Sequence, residues 1–203
     1  MYKVSVLLDP KNNWLKKYIT KESFLDMNYI VDIFDDEKKI SDYDLVFVLG
    51  YTKILSNEFL SKNKLVMIVH ESNLPNGRGF SPIQWQILEG KNNIKVCLIE
   101  AKKIVDSGDI LEKDELKFNG TELYDEIRIA QASITIKLIR KFLKKYPNFN
   151  RMPQKGNPTF FRKRNLSDSE LDINLSIEKN FPKLRIGNNA VSYTHLRAHE
   201  TDY

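Results

Sequence analysis

KLVMIVHESNLPNGRGFSPIQW, residues 64–85, passes from an apolar run into a loop crowded with turn residues and then into a helix. Residues 64–70 are almost continuously apolar, the pattern of a strand covered on both faces by helices. His70, the only histidine before the last nine residues, closes the run. The loop behind it holds Gly77 and Gly79, two of the chain's eight glycines, together with Pro75. Ser81-Pro82-Ile83-Gln84 then reads as a capping box with proline at the first helical position, and Gly90 marks that helix's end. A buried strand feeding a helix through a polar loop is the repeating unit of an open α/β sheet.

The same texture extends in both directions. YKVSVLLD (2–9), NYIVDIFD (28–35), DLVFVLG (44–50) and IKVCLIEA (94–101) read as further strands, with a helical segment over 13–18. A longer helix is expected from a Thr121 cap to Tyr146, its apolar positions Leu123, Ile127, Ala130, Ile134 and Leu138 recurring at helical spacing. Acidic residues fill its first turn, Lys141, Lys144 and Lys145 its last, and Pro147 follows. The expected fold class is α/β: a Rossmann-like open, mostly parallel sheet flanked by helices, with right-handed crossovers. Residues 1–146 form the expected catalytic domain, and 147–190 a linker and the start of a short C-terminal appendage. VSYTHLRAHETDY, 191–203, continues none of the preceding patterning and reads as a non-native tail. Its His195 and His199 stand one helical turn apart without a third ligand, so no metal site is expected there.

Composition narrows the function classes. Hydrophobic residues make up 41% of the 203, enough for a core, and the net charge is only +5. That balance suits anionic ligands but falls well short of a nucleic-acid binder. Cys97, the single cysteine, sits within the apolar VCLI and reads as a buried, inert thiol. Neither a cleavable leader nor a membrane-length apolar stretch is evident, so the expected setting is soluble and cytoplasmic.

Ligands of open α/β sheets bind outside the carboxyl ends of the strands, where the 64–70 run delivers His70. Histidine exchanges protons near neutrality and works best with an orienting carboxylate. VDSGDI, 105–110, follows the 94–101 strand, expected at the same end of the sheet, and offers Asp106 or Asp109, with Gly108 allowing a tight turn. No nucleophile elbow, Cys-x-x-Cys, P-loop or Gly-x-Gly-x-x-Gly is present, which leaves proton management rather than covalent or nicotinamide chemistry.

H-E-S-N-L-P-N-G-R-G-F-S-P-I resembles the H-x-S-L-L-P-x-x-R-G-x-x-P-I signature of the folate-dependent formyltransferases. That family acts on glycinamide ribonucleotide, on methionyl-tRNA and on the amino sugars of nucleotide sugars. G-Y-T-K-I-L (50–55) is similar to its Y-G-x-I-L segment and V-D-S-G-D-I to its D-x-G-D loop, so the resemblance spans about residues 30–146. It implies 10-formyltetrahydrofolate as formyl donor and no metal. His70 would stabilise or protonate the tetrahedral oxyanion, and Asp106 would tune that histidine and shuttle the amine proton. Lys53, Ile54 and Leu55, with Lys102, Lys103, Ile104 and Val105, would line the folate pocket. Ser72 and Arg78 of the signature would contact the acceptor.

The chain departs from the family at one catalytic position. The family asparagine two residues before the histidine is replaced by Ile68, a lost donor worth about two to three orders of magnitude in rate. Asn73 is the candidate to supply an amide instead. Beyond residue 153, QKGNPTFFRKR followed by SDSELDI is similar to the segment after the catalytic domain of sugar formyltransferases, and no room is expected for the barrel domain of the tRNA enzyme. The expected acceptor is the amine of a nucleotide-linked amino sugar for a bacterial surface glycan, with nucleic acid and membrane not expected as partners. The alternatives are methionyl-tRNA formylation, formyl-folate hydrolysis, and a non-catalytic folate- or nucleotide-binding homologue. A homodimer contact, if formed, falls in the C-terminal region.

Overall fold

Strand residues 45–49, LVFVL, are all buried, so both faces of this segment must be covered. In the computed structural model, which describes residues 2–27 and 29–188, it lies near the middle of a six-stranded sheet. In chain order the elements are β1 (Lys3–Leu8), β2 (Ile30–Phe34), β3 (Leu45–Leu49), α1 (Asn57–Lys62), β4 (Leu65–His70), β5 (Arg78–Gly79) and α2 (Pro82–Leu88). There follow β6 (Asn93–Glu100), β7 (Ile110–Lys117), α3 (Tyr124–Leu143), β8 (Phe160–Phe161) and α4 (Ile177–Ile186). The sheet order is β2-β1-β3-β4-β6-β7, while β5 and β8 form a separate parallel pair. Pairings from β2 through β4 are parallel, and β6 and β7 are antiparallel additions.

Period-two alternation divides the core. Leu45, Phe47 and Leu49 point with Met67 and Val69 into the larger cluster, where α3 adds Ile127, Leu138 and Phe142. Val46, Val48 and Val66 point the other way with Leu7 and Phe59, the latter from α1. Ile127, Ile134 and Leu138 are buried as their helical spacing requires, and Ala130 packs at the cluster's margin.

Several local expectations are corrected. The segment 13–18 is a 3-10 turn over Asn13–Lys17, followed by a second at Lys21–Phe24. Helix α3 starts three residues after Thr121, because the Glu122 carboxylate is engaged by the amides of Asn119 and Gly120 and holds that turn non-helical. Glu126, not Thr121, satisfies the helix entrance by accepting from the Leu123 amide at 2.9 Å. Ser81 is left-handed (φ 51°) rather than extended, so its hydroxyl makes no capping bond, although Pro82 does open α2. The last correction concerns direction. Strand β6 runs antiparallel to β4, with Glu100 opposite Met67 and Cys97 opposite His70, so its carboxyl end does not lie at β4's carboxyl end.

Strand β7 was not foreseen, because ILEKDELK reads as charged. At the sheet edge its Glu112 is buried between Lys141 and Lys145 of the α3 end. Burial pushes that carboxyl up, but the two ammoniums outweigh it and hold it below the usual range. Among the described residues, no helix is long and apolar enough to cross a membrane. The tail from 191 lies outside the described residues.

Candidate active site

His70 is the last residue of β4 and shares a sheet face with Val66 and Ile68. Its Nε2 lies 2.8 Å from the carbonyl oxygen of Gly77. A carbonyl only accepts, so Nε2 carries hydrogen and donates, leaving Nδ1 as the nitrogen free to gain or lose a proton. Nδ1 stands 3.6 Å from Oδ1 of Asp106. Both side chains are nearly enclosed, His70 at 5% and Asp106 at 7% exposure.

Although β6 leaves in the wrong direction, the 101–109 loop folds back along the sheet and returns Asp106 to His70. Two backbone features hold the turn. Asp106 is left-handed (φ 53°), and its Oδ2 accepts from the Gly79 amide at 2.9 Å. Gly108 packs so closely on β6 that an added Cβ would sit 1.6 Å from the Glu100 carbonyl oxygen. Of the two carboxylates offered by VDSGDI, Asp106 is the one that meets the histidine. Asp109 instead pairs with Lys102 at 3.1 Å.

The other expected residues separate into groups. Ile54 and Ile104 are 79% and 68% exposed and, with half-exposed Val105, present apolar side chains to solvent. Their two segments share a footing, since Tyr51, Leu55, Ile68 and Ala101 all pack against the Val66–Phe59 cluster. Lys53 and Lys103 are exposed beside them. The preceding turn is fixed by buried Asp9, which accepts from the amide and hydroxyl of Thr52 and the amide of Lys11. Burial raises the Asp9 carboxyl, but these hydrogen bonds outweigh it and keep it below the ordinary range. Asn73 is exposed, and its carbonyl accepts from the Asn76 amide. Ser72 is buried, its carbonyl taking the Cys97 thiol at 3.3 Å. Burial pushes that thiol up, in keeping with an inert cysteine. Arg78 is half-buried with Nε and Nη2 both on Oε1 of Gln154, at 3.2 and 2.6 Å. Ile68 is half-buried and touches two apolar clusters, offering the site no donor.

Sequence reading missed the contribution of the segment after α3. Met152 bridges to Ile110 through both backbone bonds, 2.8 and 2.9 Å, which brings Gln154 over the Asp106 turn. Farther on, the Thr159 hydroxyl accepts from the Gly77 amide at 2.8 Å, and β8 pairs with β5. An added Cβ on Gly77 would lie 2.6 Å from the Phe161 ring, so glycine is needed where this strap crosses. Trp85 of α2 stacks on Phe161 and donates to the Arg162 carbonyl. No local pattern announces these roles; the one available signal is a Gln and a Thr amid a turn-rich stretch leading to two phenylalanines.

The site thus combines a buried histidine–carboxylate pair with exposed apolar side chains on two loops of an open α/β sheet. The formyl transferase family model matches residues 15–135. Curated relatives include the methionyl-tRNA formyltransferases of Prochlorococcus marinus, 32% identical over 78% of this chain and 48% of the relative, and of a Sulfurihydrogenibium species, 31% over 76% and 50%. This chain therefore belongs to the formyl transferase family, and it spans about half the length of the curated relatives it matches. Among solved structures, methionyl-tRNA formyltransferase from Clostridium thermocellum superposes with TM-score 0.77 at 21% identity, covering 93% of this chain and 85% of that one. HypX from Aquifex aeolicus in complex with tetrahydrofolic acid gives 0.73 at 17%, over 93% and 34%. A 4-N formyltransferase from Francisella tularensis gives 0.64 at 18%, over 91% and 87%. These three likenesses establish the shared fold.

Proposed function

We propose that this chain transfers a formyl group from 10-formyltetrahydrofolate to a primary amine. The observation that carries the reading is the pairing of His70 Nδ1 with Asp106, in a chain whose neighbouring loops expose Ile54, Ile104 and Val105. Apolar side chains flanked by backbone polar groups suit a flat pterin, whose faces are apolar and whose edge needs hydrogen bonds. When bound, the folate supplies an activated formyl carbon and a nitrogen that leaves with a proton. His70, its Nε2 committed to Gly77 and its Nδ1 facing Asp106, would act through its positive charge when protonated, countering the negative charge that gathers on the formyl oxygen as the amine attacks. Asp106 compensates the imidazolium and takes the proton that the amine sheds on forming its C–N bond. Proton return through the same pair accompanies cleavage of the old bond. Ile68 supplies no second donor, so His70 carries more of the stabilisation than in a site with asparagine there.

The acceptor we favour is the amine of a nucleotide-linked amino sugar. Its support is the RKR–SDSELDI segment, in which Arg162 pairs with Asp168 and folds the chain back beside α2. Methionyl-tRNA is the second reading, favoured by the names of the curated relatives. The protein would be offered 10-formyltetrahydrofolate with nucleoside-diphosphate 4-amino sugars or with methionyl-tRNA, and the products weighed by mass spectrometry. A formylated sugar nucleotide is expected. Formylation of the tRNA alone overturns the acceptor, and formate release without either acceptor overturns transfer itself.

A further inference from the structure

Gln154 uses all of its hydrogen-bonding capacity between the two loops of the site. Its Nε2 donates to the carbonyls of Asp106 and Gly108, each at 2.8 Å, while Oε1 receives the fork of Arg78. The amide orientation follows from the partners, since carbonyls only accept and a guanidinium only donates. We infer that Gln154 is a positioning residue: it holds the Asp106 carboxylate against His70 and ties that loop to the Arg78 loop. The inference rests on His70 and Asp106 being the proton-handling pair.

The physical need is specific. Asp106 is a non-glycine residue at φ 53°, a strained conformation that persists only when its surroundings impose it. Gln154 grips the carbonyls on this residue and on Gly108, the two that define the turn. On its other side the Asp106 carboxylate is met by the Gly79 amide, next to Arg78. The segment from 152 to 154 thus supplies a rigid bracket: Met152 pins the bracket to β7, and Gln154 pins the turn to the bracket. Without the two donors the Asp106 peptide is free to relax toward negative φ and draw its carboxylate away from Nδ1. Arg78, for its part, is partnered by the bracket instead of standing free for a substrate.

Two substitutions separate the roles. Gln154→Glu keeps an acceptor for Arg78 but replaces the donors by oxygens that repel both carbonyls, whereas Gln154→Ala removes everything. Positioning predicts kcat down by about 10²-fold in both, with the acceptor KM little changed and the thermal midpoint of Gln154→Glu retained. The independent readout is the imidazole titration of His70 by 15N NMR, assigned by its loss in His70→Gln among the three histidines. In both variants it should move toward the titration seen in Asp106→Asn. A wild-type His70 titration in both variants overturns the inference, as does a rise in KM with kcat unchanged, which would make Gln154 a holder of Arg78 for substrate. Should the wild-type protein transfer no formyl group at all, the function reading fails while the titration still decides the role of Gln154.

Discussion

Strand β4 presents two unlike faces. Leu65, Met67 and Val69 enter the cluster built with α3, where Phe47 and Phe142 meet edge to face at 6.2 Å. Val66, Ile68 and His70, offset by one residue, run from a small apolar cluster out to the acid–base pair. One side of the strand is apolar throughout; the other is apolar at Val66 and Ile68 and ends on the buried, polar His70. On the proposed function, stability and chemistry would be carried by interleaved residues, so substitutions one position apart should fail in different assays.

The largest expected effect lies on the chemical face. His70→Ala should lower formyl transfer by about 10²–10⁴-fold with little change in the thermal midpoint; unaltered turnover would remove His70 from the reaction. On the packed face the expectation reverses. Phe142→Ala should cost about 3–5 kcal/mol in denaturant unfolding, while the folded fraction keeps its kcat. If kcat falls in proportion to stability, the two faces are not separable.

Ile68 tests the boundary between them. Placing an amide there in Ile68→Asn should raise transfer, by up to about 10²-fold if a second oxyanion donor is what the site lacks, and slightly lower stability because the position touches two apolar clusters. A slower variant would mean that this site has been built around the isoleucine.

The smallest effect concerns acid. The Arg162 guanidinium beside Asp168 holds its carboxyl down at about 2, against an ordinary 3.8. A lowered carboxyl stabilises the fold above its ordinary range, and that contribution drains away as pH falls from about 4 to 2. The strap's contact with α2 should loosen over that interval. Trp85 fluorescence in a Trp14→Phe background reads it directly, since Arg162 lies over Trp85 at 4.7 Å. Arg162→Gln should erase the transition.

Much of this architecture was legible in the sequence because β1, β3 and β4 are apolar runs, and burial on both faces leaves little else they could be. An apolar run has no arrow, however, and the reversal of β6 could not be read from it. Strand β7 escaped because its charges are neutralised from α3, more than twenty residues away in the chain. His70 and Asp106 stood out through turn chemistry, but β6 runs the wrong way to bring them to one end of the sheet; the loop's return, fixed by Gly108 and the left-handed Asp106, is what joins them. Gln154 was invisible for a simpler reason. Its partners are mostly main-chain carbonyls, and those are the same in every sequence.

The strap also sets an order of events. His70 donates to Gly77, yet the Gly77 amide is tied to Thr159, 82 residues downstream, and the Phe80 amide to the Phe161 carbonyl. During synthesis β1 to β4 are complete by residue 70, but their larger apolar face is covered only once α3 has emerged to Leu143. The corner that holds His70 and Asp106 must wait until the chain has emerged past Phe161. A nascent chain of this protein would therefore close its core before it completed the corner around His70.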